Sequence, residues 1–385
     1  MAVEVKRKKT QSEYYFDYTM LFVVLFLIGF GMIMIYSVSS YEAHAKYNDA
    51  AFFLKKQLLS SIIGLVAMMV VANIPYKLWA KVSTLGCVFS LLLILAVPFV
   101  GIESHGAKRW LPVPGTGLTI QPAEIAKLCM ILFLANTVCL MGKSIQKIRG
   151  MLFLIVLSLP MVICVWQFTD NLSSAIIILG ISVFMIFVAS PDYKGFFILG
   201  TLAAGAVVGL VYYISKLSMS DDMHFRFKRI LTWLNPEAYA NDTGFQTLQA
   251  LYAIGSGGIV GKGLGQSMQK LGFIPEAQND MIFSIICEEL GLFGAMVVII
   301  MFLLLLWRMM LIANNAPDLY GALIVVGVMG HIAIQVILNI AVVTNTIPNT
   351  GISLPFISYG GTSVLFLMIE MGLVLNVAKN IRLRD

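Results

Sequence analysis

Charge is what this sequence has least of. Of its 385 residues only 12% are charged, against about a quarter in an ordinary soluble domain, while 59% are hydrophobic. That excludes a water-soluble globular fold and makes the bilayer the relevant solvent. The net charge of +6 is not a nucleic-acid footprint, because membrane proteins gather Lys and Arg at one face for topological reasons. Cysteines are also few. Cys87, Cys129, Cys139, Cys164 and Cys287 fall in or beside apolar runs and none forms a CxxC pair. Neither a disulfide framework nor a cysteine metal site is expected. No soluble domain, low-complexity tail or internal repeat is evident. The small-residue cleavage site of a removable signal is missing as well, so the basic patch Lys6-Arg7-Lys8-Lys9 and the apolar run after it read as a retained first helix.

What is present is a succession of apolar segments of spanning length, near 18–40, 57–75, 82–101, 123–141, 150–168, 171–190, 195–215, 281–307, 319–343 and 356–378. Only Thr169-Asp170-Asn171 parts the fifth from the sixth. The expected fold is an all-α polytopic membrane protein, a single domain over 1–385 with ten transmembrane helices and a long extracellular loop, 216–280, between helices 7 and 8. Ten spans return both termini to one side. With the tails 1–17 and 379–385 placed in the cytoplasm, the inner segments carry 14 Lys and Arg against 11 outside, and six of those 11 lie in the long loop. Long loops weigh little in topology, which leaves 14 to 5 in the short segments and predicts cytoplasmic termini.

The long loop has a pattern of its own: a basic amphipathic stretch (His224 to Trp233), an apolar stretch (Phe245 to Ile254), then glycines. Loops of this length are unusual and mostly functional, and short interfacial helices are expected here. The glycine run Gly255 to Gly265 lacks the P-loop order and reads as a flexible hinge; Lys262 within it could meet an anionic lipid.

Three further stretches carry chemistry. Lys108-Arg109-Trp110 leads into Gln121-Pro122-Ala123-Glu124, with Lys127 one turn on. Pro122 suits a first helical turn, and Glu124 and Lys127, three apart, share a helix face. They form either an ion pair that fixes packing or a pair lining a polar cavity. Lys108 and Arg109 stand just outside the membrane, where snorkelling to headgroups is the plain reading. In Gly272 to Phe283, Glu276 and Asp280 precede the eighth span and Glu288-Glu289 follows two turns in. Asp280, Glu276 and Glu288 are expected to crowd one entrance, as a general base or a cation site. Last, Pro348 to Ser363 packs two prolines and three glycines around the start of the tenth span and reads as a re-entrant or broken segment, tolerated only inside protein or beside a wet cavity. All these features fall on the predicted outer side.

The motifs GAKRW…QPAEIAK, GFQTLQALYAIGSGGIVGKGLGQS…KLGFIPEAQNDMIFSIICEELG and PNTGISLPFISYGGTS resemble those of the SEDS family, the group containing RodA, FtsW and SpoVE, across essentially the whole chain. The PFISYGG form looks closer to FtsW and SpoVE. The resemblance implies a peptidoglycan glycosyltransferase that polymerises lipid II into β-1,4-linked glycan on the outer face of the bacterial membrane, in division, elongation or sporulation. It places the family's essential aspartate on Asp280, its span-four acid and base on Glu124 and Lys127, and its basic pair on Lys108 and Arg109. It implies a class B penicillin-binding protein as transpeptidase partner, among other divisome or elongasome proteins. One departure is Gln278-Asn279-Asp280, where the family usually has His-Thr-Asp.

The donor in this reaction is an α-linked sugar on undecaprenyl pyrophosphate and the product is β-linked, so the anomeric centre inverts. A single displacement needs one base and cationic help for the leaving pyrophosphate. Asp280 is the candidate base. Lys108, Arg109 and Lys262 or Arg226 are candidate pyrophosphate partners, with Glu276 and Ser358 as further substrate contacts. A divalent cation (Mg or Mn) is compatible with this chemistry. The rival readings are a lipid II flippase and a non-catalytic scaffold for the transpeptidase.

Overall fold

The computed structural model describes residues 16–104, 107–113, 115, 119–190, 193–216, 225–241 and 244–381. Ten helices within it are long and apolar enough to cross a membrane. They are α1 (Tyr18–Tyr47), α2 (Phe52–Asn73), α3 (Lys77–Val100), α4 (Pro122–Met141), α5 (Ile148–Phe168), α6 (Leu172–Ala189), α7 (Tyr193–Ser215), α10 (Ile282–Asn314), α11 (Leu319–Val343) and α12 (Gly361–Lys379). Two short helices lie between α7 and α10: α8 (Phe225–Leu234) and α9 (Phe245–Gly257). Every expected span is present. The break at 169–171 separates two helices, because Asp170 takes a left-handed backbone (φ 47°) and Asn171 caps α6 by accepting from Ser174 N at 2.9 Å.

Between α3 and α4 the described residues include a small antiparallel sheet of β1 (Ile102–Ser104), β2 (Ala107–Pro112) and β3 (Thr119–Ile120). Helices α11 and α12 are the most enclosed spans, while α7 is almost wholly exposed. The end of the bundle bearing the sheet also carries α8, α9 and the starts of α10 and α12.

Two irregular segments penetrate that end, and each is stabilised by neighbours rather than by its own hydrogen bonds. Helix α10 breaks at Gly291 (φ 65°, ψ −165°). A break orphans carbonyls on one side and N–H groups on the other. Here the glycine run supplies both partners: Lys262 N and Gly263 N donate to the Glu288 and Glu289 carbonyls at 3.0 and 2.9 Å, and Leu292 N and Phe293 N donate to the Gly258 and Ile259 carbonyls at 3.0 and 3.1 Å. Such close backbone approach needs glycine: at Gly261 (φ 85°) a Cβ would collide with the Glu289 carbonyl. The run is therefore not a flexible hinge but a plug, reaching about 13 Å along α10 from its start at 1.5 Å per residue. Nor is α9 merely interfacial; Thr247, Leu248, Ala250, Ala253 and Gly257 are buried and Gly257 presses on the backbone of Cys287.

The second segment, 344–360, is irregular as expected, with Ile352 and Leu354 through Ser358 buried. Gln57 of α2 grips it, donating to the Ser358 carbonyl at 3.4 Å and accepting from Gly360 N at 3.1 Å.

Candidate active site

Asp280 sits at the end of the turn that delivers the chain into α10. The turn is closed by Glu276, in a left-handed conformation (φ 48°), which accepts from Asn279 N at 2.9 Å and from Asn279 Nδ2 at 2.8 Å. From α11, Asn339 Nδ2 donates to the Asp280 carbonyl at 2.8 Å. The Asp280 carboxyl faces Gly351, where a Cβ would stand 3.7 Å from Oδ2. Burial pushes this carboxyl up to about 6; its own backbone N–H opposes that, the Glu276 charge adds to it, and the Arg229 charge opposes it. A half-buried acid poised near neutrality is suited to proton transfer.

One guanidinium group, Arg229, acts on Asp280, and a second, Arg109, acts on Arg229. Arg109 is half-buried on β2, donates from Nη2 to the Asp170 carbonyl at 3.0 Å, and leaves Nε without a partner among the described residues. Burial holds its pKa below the usual arginine value, the Arg229 charge lowers it further, and Asp170 opposes. Arg229 of α8 donates to the Asn349 carbonyl at 3.3 Å, and Trp233 one turn on donates to the Asn345 carbonyl at 3.0 Å, which docks α8 on the 344–360 segment. Two neighbouring like charges, one of them beside the Asp280 carboxylate, make an arrangement that an anion would complete.

The remaining expected residues disperse. Successive residues of a strand point to opposite faces, so Lys108 parts from Arg109 and reaches the Pro98 carbonyl at the end of α3, at 3.3 Å. Glu124 and Lys127 pair at 2.8 Å, both buried, and Glu124 Oε2 has no hydrogen-bond partner among the described residues. Lys262 is held by Glu288 at 2.7 Å. That pair belongs to a separate network, in which Ser267 Oγ and Met268 N also donate to Glu288, while Lys270 (2.8 Å) and Ser37 (2.7 and 2.9 Å) donate to Glu289. Glu288 thus does not join Asp280 and Glu276 at one entrance: the plug at Gly291 gathers it inward. Ser358 is buried and accepts from Leu354 N at 2.8 Å. The Arg226 side chain lies outside the described residues. Among those residues no three His, Cys, Asp or Glu side chains gather as a metal site would require. Gln278 turns from Asp280 towards α1, donating to Glu42 at 3.2 Å, while its carbonyl accepts from Tyr359 N at 2.9 Å. This position is a structural joint.

Sequence reasoning missed Arg229, Asn339, Gln335 and Gly351. A signal existed for two of them: His331, Gln335 and Asn339 recur every fourth residue in an apolar span, one polar stripe on a helix face. Two cavities lie elsewhere. One of about 520 Å³ runs between α1, α2 and the plug, lined by Met32, Ile33, Tyr36 and Leu264 with Ser37 and Lys270. One of about 390 Å³ lies between α3 and α4. Both are apolar slots, and neither is lined by Asp280.

Comparison with known proteins agrees with this architecture. The chain is 40% identical over 376 residues to stage V sporulation protein E of Bacillus subtilis, covering 94% of this chain and 97% of that one. It is 36% identical to a probable peptidoglycan glycosyltransferase FtsW of Geobacter metallireducens, over 95% of this chain and 96% of that one. A chain from a structure on the coordination of polymerization and crosslinking by a peptidoglycan synthase complex superposes with TM-score 0.78 at 25% identity, covering 95% and 98%. The crystal structure of the Thermus thermophilus rod shape determining protein RodA superposes with TM-score 0.67 at 25% identity, covering 96% and 98%. The family profile described as FtsW, RodA and SpoVE cell cycle protein matches residues 18–383, and the chain belongs to that family.

Proposed function

We propose that this protein is a peptidoglycan glycosyltransferase that polymerises lipid II, with Asp280 as general base and the sheet-bearing end facing outward. The names of the relatives and the positive-inside charge distribution support the reading. The observation that carries the mechanism is a half-buried aspartate with its pKa pushed up to about 6, beside Arg229 and, through it, Arg109.

The reaction follows from these groups. The acceptor sugar hydroxyl gives its proton to the Asp280 carboxylate as its oxygen bonds to the donor's anomeric carbon. The bond from that carbon to the polyprenyl pyrophosphate breaks on the opposite face, which inverts the centre. Arg109 and Arg229 take up the negative charge that develops on the leaving group. General-base assistance contributes about 10²–10⁴-fold in such reactions. A divalent cation accompanying the pyrophosphate would be held chiefly by substrate oxygens and water, the mode typical of Mg, with Glu276 as the carboxylate at hand and Asp280 left free as base. The apolar slot between α1, α2 and the plug is of a kind that suits a lipid tail. The likeness to a chain of a peptidoglycan synthase complex supports a transpeptidase partner of the class B penicillin-binding type.

The test is polymerisation of purified lipid II by the purified protein, alone and with its transpeptidase, read as glycan chain length on gels. Wild-type protein is expected to form chains, and Asp280→Asn none while folding normally. Chains of wild-type length and rate from Asp280→Asn would remove Asp280 from the mechanism. Lipid II translocation without polymerisation would favour a flippase, and no activity except through the partner a scaffold.

A further inference from the structure

Helix α11 carries polar side chains where apolar ones would pack more cheaply. Asn339 is wholly buried. Its one amide nitrogen donates twice, to the Asp280 carbonyl at 2.8 Å and to the Ile352 carbonyl at 2.7 Å. One turn below, buried Gln335 donates to the Ser353 carbonyl at 3.0 Å. The side-chain oxygens of both residues accept nothing among the described residues. An unmatched buried amide oxygen costs about 1–3 kcal/mol, so these residues are poor choices for stability alone. What their nitrogens do is specific. They bind consecutive carbonyls of the segment that begins at Gly351, the residue against the Asp280 carboxyl, and Asn339 ties that segment to Asp280 itself.

Both carbonyl partners lie in irregular backbone, which has no helix or sheet ladder to locate it. A helix with rigid backbone is the better reference frame, and a primary amide is the uncharged side-chain group with two N–H donors on one atom. We propose that Asn339 is a positioning residue, the pin that joins the turn of Asp280 to the Gly351–Ser353 segment, with Gln335 as its second peg. The proposal rests on Asp280 acting as the base. It assigns Asn339 no contact with substrate; its effect is on where the carboxylate stands when the acceptor hydroxyl arrives. Displacement of a reacting group by about 1 Å can cost about 10²-fold.

Asn339→Asp keeps the shape but turns two donated bonds into oxygen facing two carbonyls. The expected result with purified lipid II is a kcat about 10²-fold lower at nearly unchanged KM, because the pyrophosphate partners are untouched. Gln335→Leu, which frees only Ser353, its carbonyl and its hydroxyl, should lower kcat by a smaller factor, with KM again unchanged. Hydrogen exchange gives a readout independent of turnover: peptides over 276–281 and 349–354 should exchange faster in Asn339→Asp while α12 does not. If Asn339→Asp does not fold, Asn339→Ala removes the amide without adding a charge and is read the same way. Wild-type kcat in the folded Asn339 variant, or a rise in KM that accounts for the loss, overturns the proposal. Activity in Asp280→Asn would instead overturn the base assignment, and the exchange result would still report on the pin.

Discussion

The pH dependence of kcat/KM is the most direct consequence of the Asp280 environment. With its carboxyl pushed up to about 6, a single ionisation leaves roughly 90% in the basic form at about pH 7 and roughly 10% at about pH 5. If the ionised form is the base, kcat/KM for lipid II should fall about tenfold across that interval, on a limb of unit slope. The neighbours set the signs of two further shifts. Glu276 raises the Asp280 pKa by charge repulsion and Arg229 lowers it by attraction. Glu276→Gln should therefore move the limb to lower pH, and Arg229→Gln to higher pH. The assay is the initial rate of polymerisation at low lipid II across about pH 4.5–8, with protein integrity checked at each end. A flat profile, or a limb that ignores both substitutions, would refute the assignment of the ionisation to Asp280.

Other outcomes follow from the same geometry. Between its ordinary value of 3.8 and its folded value of about 6, Asp280 keeps in the folded state a proton that the unfolded chain has lost, so its contribution to stability falls as pH rises through that window. Asp280→Asn should consequently melt no lower than wild type at about pH 7.5, though inactive. Gly261→Ala forces a side chain into a left-handed backbone against the Glu289 carbonyl; the backbone conformation alone costs about 1–3 kcal/mol, and a lowered melting temperature would register it. Lys270→Met strands the buried Glu289, at a cost of about 3–5 kcal/mol, and adding Glu289→Leu should restore most of the melting temperature. A single variant as stable as wild type would show that the pair is dispensable.

The sequence was most legible where the physics is local. Spanning helices need only length and hydropathy, so all ten lie where the apolar runs are. The Glu124–Lys127 pair was readable for a similar reason, since both residues sit one turn apart on one helix. Legibility failed where a side chain's partner lies far along the chain. Arg229 gains its meaning from Asn349 and Asp280, Gln278 from Glu42, and Asn339 from a carbonyl 59 residues away. Adjacent residues could also mislead: Lys108 and Arg109 look like a pair but are split by the alternation of β2.

What the chain determined by itself is a ten-helix bundle with its polar irregular segments at one end, because transfer of apolar segments from water and the cost of buried charge act residue by residue. What only the tertiary structure decided is which of those polar groups meet. The plug that caps the broken α10 draws Glu288 and Lys262 into a network of their own. The 344–360 segment, held by α2, α8 and α11, leaves Asp280 with Arg229 and Glu276, and Arg229 with Arg109. Hydrogen bonds and charges select partners by distance, and in irregular backbone that distance is set by neighbouring helices rather than by residues next in sequence.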